Sequence, residues 1–146
     1  MEFISNSVQE TISFGKKIGS SLKGGEVFAI CGQLGTGKTH LIKGIAHGAG
    51  CESCEQVNSP TFVIVNEYSA RLDIFHIDAY RLESVAEFEM VGFDDFCNPD
   101  SVVLIEWADK VAAALKNVAA INIELFYKNH NKRSISVKNA PSYLKL

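Results

Sequence analysis

An α/β fold, with a mixed, largely parallel sheet flanked by helices in a single domain over residues 1–146, is what the sequence predicts. Three features predict it. Apolar runs of strand length alternate with segments of helical periodicity. One run, Val102 to Glu106 (VVLIE), is branched and apolar without alternation, as expected of a central strand buried on both faces. A glycine-rich turn, GQLGTGKT from Gly32 to Thr39, joins the apolar run VFAIC (Val27 to Cys31) directly to the helical segment that follows.

The elements follow in order. Ser7 and Glu10 have the spacing of a capping box, and Val8, Ile12, Ile18 and Leu22 mark a helical face running to about Leu22. Gly24-Gly25 ends that helix. The strand Val27 to Cys31 comes next and is read as the first strand, followed by the glycine-rich loop and a helix from Lys38 to about Gly48. Cys51 to Pro60 reads as a loop. FVIVNEY (Phe62 to Tyr68) and LDIFHID (Leu72 to Asp78) are β-rich, and the short link between them predicts an antiparallel hairpin. Ser84 to Met90 favours a short helix, and Trp107 to Leu115 a further one. INIELFY (Ile121 to Tyr127) and SISVK (Ser134 to Lys138) predict a closing hairpin.

The loop is a complete P-loop pattern in its required strand–loop–helix context. Its glycines, Gly32, Gly35 and Gly37, let the backbone curl so that successive N–H groups, including that of Thr36, point at phosphate oxygens. The helix opening at Lys38 adds the positive end of its dipole. The Lys38 ammonium is expected over the β- and γ-phosphates, and the Thr39 hydroxyl on Mg²⁺.

A second acid should stand at the end of a buried strand near the phosphates. Glu106 ends VVLIE and Asp78 ends LDIFHID; ligands of open α/β sheets bind at the carboxyl ends of strands. Position favours Glu106 for the metal role, the bland alternative being a helix-starting acid before Ala108-Asp109-Lys110. Asp78 either holds metal or orients the attacking water, and the bland alternative is an ion pair with Arg81. No NKxD guanine reader follows the strands, which tilts the nucleotide toward ATP, with an adenine pocket drawn from Thr11 and the first helix. With only Arg71, Arg81 and Arg133, the chain lacks the arginine cluster of a small-molecule kinase lid. A kinase and a non-catalytic ATP-binding module are the competing readings. His76-x-Asp78 is also a spacing for metal or acid–base work, but a single histidine in an apolar strand reads as a packed core residue; Trp107 reads as either a core plug or a reporter on Glu106.

Net charge is −3 and there is no basic stripe, which argues against this chain gripping a nucleic acid backbone by itself. No leader-like segment and no apolar stretch of membrane-spanning length is visible, so a cytoplasmic location is expected and a membrane partner is not. Cys51 and Cys54 form a CxxC without a second ligand pair, which reads as two free thiols in a loop; a cluster with His40 or His47 is the sharper alternative.

Taken together, GQLGTGKT, SPTFVIVNEY (Ser59 to Tyr68), HIDAYRL (His76 to Leu82) and Glu106-Trp107 resemble the bacterial TsaE (YjeE) family in order and spacing, over about residues 5 to 127. Thr11 with Gly15 is similar to that family's adenine-side segment. The resemblance implies an ATPase subunit of the machinery that makes threonylcarbamoyladenosine (t6A) in tRNA, acting beside TsaB and TsaD and meeting tRNA only through that complex. It implies ATP and Mg²⁺ as cofactors. Gly35 to Thr39 would bind phosphate, Thr39 and Glu106 would hold Mg²⁺, and Asp78 would be a further acid needed for hydrolysis. Thr61 of the SPTF loop and Trp107 would be switch elements. His40, within the phosphate-binding segment, and the CESCEQ spacer depart from the family pattern.

Overall fold

The computed structural model describes residues 1–53 and 64–146. In chain order the elements are β1 (Glu2–Ser5), α1 (Val8–Ser20), β2 (Val27–Gly32), α2 (Lys38–Gly48), β3 (Val65–Ser69), β4 (Asp73–Asp78), α3 (Val85–Met90), α4 (Phe93–Phe96), β5 (Ser101–Glu106), a 3₁₀ turn (Ala108–Val111), β6 (Ala120–Tyr127) and β7 (Arg133–Lys138). The strands form one sheet in the order β1-β7-β6-β2-β5-β4-β3.

The four inner strands, β6, β2, β5 and β4, are mutually parallel. The remaining pairings, β1 with β7, β6 with β7 and β3 with β4, are antiparallel. The parallel part of the sheet is therefore confined to its centre, where β2, β4 and β5 bring their carboxyl ends to one edge. β5 is buried at all six positions, as its unalternating sequence requires. The hairpin predicted from the two β-rich runs is present as β3–β4, with Asn66 opposite His76; Phe62 and Val63 lie outside the described residues.

Three expectations need correction. The P-loop follows the second strand, because Glu2–Ser5 pairs with β7 at the sheet edge; four residues with alternating exposure are too short to announce a strand. The segment after Glu106 makes only a 3₁₀ turn over Ala108–Val111, since Trp107 takes a left-handed conformation (φ 59°, ψ 39°) that an α-helix does not continue through. Finally, the buried face of α1 is only partly the one its apolar residues marked: Ile18 and Leu22 are buried, but Ile12 is half-buried. Val8 is 48% exposed, and the stripe runs through Thr11, Phe14, Gly15, Ile18 and Gly19.

The last shift has a physical cause. α1 and α2 approach so closely that backbone meets backbone: a Cβ on Gly15 would lie 2.5 Å from Leu41 O, and one on Gly44 would lie 2.3 Å from Ile12 O. Glycine carries no hydropathy signal, so the seam is silent in an apolar pattern. At the start of α1, Ser7 Oγ accepts from Glu10 N at 3.1 Å as the capping box requires, but Glu10 reaches back one residue further, accepting from Asn6 N at 2.7 Å. The two helices cover one sheet face through Phe14, Ile18, Leu41 and Ile45 over Phe28, Ile30, Leu104 and Ile123. The short helices and the 3₁₀ turn cover β4 and β5 on the other face through Phe88, Phe93 and Val111 over Ile77, Val103 and Ile105.

Candidate active site

The glycine-rich loop leaves the end of β2 and enters α2. Gly32, Gly35 and Gly37 have φ of 146°, 77° and 100°, the region where an L side chain is strained. Gly35 also sits under Tyr127, whose hydroxyl would be 2.8 Å from an added Cβ. Gly37, at the N-cap of α2, contributes no side-chain bond to the first turn of the helix. Thr36 is fully buried and its Oγ1 donates to Gln33 O at 2.8 Å, holding the loop's curl.

Lys38 is buried, and its Nζ donates to Gly32 O at 2.7 Å and to Gln33 O at 3.0 Å. The same ammonium lies 3.8 Å from the centroid of the Trp107 ring. Burial pushes the Lys38 ammonium below its usual pKa, against the opposing pull of Glu106, Asp109 and Asp78. Trp107 is itself packed on Tyr80, with ring centroids 4.8 Å apart.

Next along α2, Thr39 Oγ1 donates to Glu106 Oε1 at 2.9 Å. This joins the first turn of α2 to the end of β5. Glu106 is 1% exposed, and its Oε1 lies 3.7 Å from Nε2 of the fully buried His76. Asp78 is the register partner of Glu106 on the adjacent parallel strand, so the two carboxylates share a sheet face. Burial raises the Asp78 carboxyl pKa, an N–H donated by Tyr80 at 3.0 Å opposes the shift, and the Glu106 charge adds to it. Leu34, Gly35, Gly37, Lys38, Thr39, His40, Glu106 and Trp107 line a cleft of about 150 Å³ over the loop.

The structure thus brings Gly35, Gly37, Lys38, Thr39, His40, Glu106 and Trp107 to one cleft, with Gly32 and Thr36 lining a second cleft on the other flank of the loop. Thr11 sits apart in α1, 2% exposed, its hydroxyl 2.7 Å from Ser5 Oγ and 3.3 Å from Ser7 O. Thr61 and Cys54 lie outside the described residues. Cys51 is buried, with Sγ 3.9 Å from Ser53 Oγ, and the described residues contain no cluster of three metal-ligating side chains. None of the described helices is long and apolar enough to cross a membrane.

The residues present fit a Mg²⁺–nucleotide. A hydroxyl and a carboxylate, already 2.9 Å apart, are the hard oxygen donors that Mg²⁺ takes from protein, and the glycine conformations form a cradle that side chains would fill. Sequence reasoning missed Tyr68, Tyr80 and Asp109 as neighbours of the site, and set His76 aside as core. The two-residue spacing of His76 and Asp78, which puts both on one strand face, is the signal that weighs against the core reading.

Fold and site together define an α/β protein with a glycine-rich strand–loop–helix opposed by acids at the carboxyl edge of a mixed sheet. The chain belongs to the TsaE family: the family model "Threonylcarbamoyl adenosine biosynthesis protein TsaE" matches residues 5–135. It is 35% identical to the tRNA threonylcarbamoyladenosine biosynthesis protein TsaE of Treponema pallidum, over 94% of this chain and 99% of that one. The protein of the same name from Aquifex aeolicus is 30% identical over 93% and 94% of the two chains. Among solved structures, that of Bacillus subtilis YdiB superposes with a TM-score of 0.71 at 26% identity, covering 94% of this chain and 83% of that one. The family is named for threonylcarbamoyl adenosine biosynthesis, and the two relatives for its formation on tRNA.

Proposed function

We propose that the chain is a P-loop ATPase subunit that binds ATP with Mg²⁺ and serves t6A formation as a nucleotide-driven switch, working in the cytoplasm beside TsaB and TsaD. The observation that carries this reading is the Thr39–Glu106 hydrogen bond at 2.9 Å, which sets a hydroxyl and a carboxylate beside the loop that holds Lys38. Loop amides and the α2 N-terminus receive phosphate oxygens, and Lys38 Nζ exchanges its carbonyl partners for them. Thr39 and Glu106 hold the metal, which supplies charge neutralisation at the transferred phosphoryl group. Asp78 shares the face of Glu106 and, through its raised pKa, is suited to orienting or taking a proton from water.

Hydrolysis by the chain alone is slow, because no arginine lines the described cleft to stabilise transition-state charge. A partner supplies or repositions what is missing. tRNA is met through the complex, consistent with the chain's net charge of −3. A phosphate-release assay with and without TsaB and TsaD tests the reading. It predicts slow Mg²⁺-dependent release alone and faster release with partners; phosphate transferred to a metabolite, or binding with no release in either case, contradicts it.

A further inference from the structure

His76 has no part in the reading above, yet its surroundings are those of a working side chain. It is 0% exposed on β4, on the sheet face that Asp78 and Glu106 share. Its Nδ1 lies 3.2 Å from Tyr68 OH, and its Nε2 lies 3.7 Å from Glu106 Oε1. Nε2 is also a buried side-chain nitrogen without a hydrogen-bond partner among the described residues. A buried polar atom left so is destabilising, and a leucine here would carry no such cost.

The Tyr68 contact orders the imidazole. The contact itself fixes neither partner as donor; where the phenol donates to Nδ1, the ring proton stays on Nε2. That N–H then faces the carboxylate. The separation exceeds a hydrogen bond by about 0.7 Å, a gap that a small rotation of the carboxylate closes. Glu106 Oε1 is thereby set between donors from two elements, the Thr39 hydroxyl on α2 and the His76 ring on β4. We infer that His76 is a positioning residue: through Nε2–H it fixes the orientation of the Glu106 carboxylate at the nucleotide site, and Tyr68 sets the tautomer that allows it. The inference rests on Glu106 serving the metal–nucleotide site proposed above.

Two measurements test it. Long-range ¹H–¹⁵N spectra of the nucleotide-free chain read the His76 tautomer without any ligand. The proton is expected on Nε2 in the wild type, with that preference weakened in Tyr68→Phe; a proton on Nδ1 in the wild type overturns the inference. Calorimetry of ATP binding with and without Mg²⁺ then compares wild type, His76→Leu and His76→Gln, whose amide N–H reaches toward the position of Nε2. The Mg²⁺ enhancement of ATP affinity should fall about tenfold in His76→Leu, recover in His76→Gln, and leave Mg²⁺-free affinity unchanged. A folded His76→Leu chain with the wild-type enhancement overturns the inference. If that variant does not fold, Tyr68→Phe decides, by its tautomer and by a smaller Mg²⁺ enhancement. A wild type whose ATP binding ignores Mg²⁺ contradicts the proposed function instead, and the tautomer spectrum still judges the ring's orientation toward Glu106.

Discussion

The Lys38 ammonium lies 3.8 Å from the centroid of the Trp107 ring while it donates to Gly32 O and Gln33 O. Its favourable directions are filled from within the protein. The ring is held there by a left-handed backbone and by Tyr80. A triphosphate that takes Lys38 must therefore loosen a contact worth about 0.5–2 kcal/mol. Trp107 is the chain's single tryptophan, so its emission reports this one place. Saturating Mg-ATP is expected to change Trp107 fluorescence, and Lys38→Ala to change it with no nucleotide present. Identical spectra in all three samples, with binding verified separately, would remove Trp107 from the nucleotide response.

Glu106→Gln keeps the shape of the side chain and an oxygen for the Thr39 hydroxyl, but removes the charge that a hard cation requires. Calorimetry should show ATP affinity in Mg²⁺ reduced by about tenfold or more, with Mg²⁺-free affinity little changed. Equal losses with and without the metal would mean that Glu106 acts on fold or phosphate, not on Mg²⁺.

The sign of the Asp78 shift separates activity from stability. Its folded pKa is raised above the ordinary aspartate value, chiefly by burial. Between the unfolded and the folded pKa the native state binds the extra proton, so stability falls as pH rises through that window, and the full penalty stands above it. Asp78→Asn retains an oxygen for the Tyr80 N–H and sheds the penalty. We expect the variant to melt at or above the wild-type temperature at neutral pH, with the difference shrinking on acidification below the folded pKa, while ATP turnover is lost. A melt clearly below wild type at neutral pH would contradict the burial argument.

The placement of α2, and with it Lys38 and Thr39, depends on the glycine seam. In Gly44→Ala the new Cβ would stand 2.3 Å from Ile12 O, a backbone atom that cannot step aside alone. Overpacking of this kind costs about 1–3 kcal/mol, which corresponds to a melting temperature lower by roughly 3–10 °C. Gly25→Ala is the control, because nothing lies within 4 Å of its added Cβ, although its φ of 86° adds local strain. A Gly44→Ala chain as stable as wild type would show that the helices are spaced more widely than described.

How much of this was legible in the sequence follows from what each signal measures. VVLIE announced β5 because burial on both faces leaves no polar alternation, and the glycine-rich loop announced the junction of β2 with α2. Strand-end reasoning placed Asp78 and Glu106 at the carboxyl ends of their strands; that the two strands are neighbours, with these residues in direct register, comes from the structure alone. Contacts made by backbone or by long-range pairing were silent. The α1–α2 seam is built from glycines, β1 is stabilised by a partner more than a hundred residues away, and the left-handed turn at Trp107 is set by its surroundings. From sequence His76 reads as core, because an imidazole among apolar neighbours looks like filling. Its two polar neighbours arrive from β3 and β5, and only the folded sheet brings them together.

The most direct test of the account is calorimetric titration of the folded wild-type chain and of Lys38→Ala with ATP, each with and without Mg²⁺. The wild type should bind ATP, more tightly with the metal, and Lys38→Ala should bind about 10–100-fold more weakly, as loss of a charge-assisted contact to phosphate demands. No binding heat from the wild-type chain at several temperatures, or equal affinity in the two chains, would contradict it.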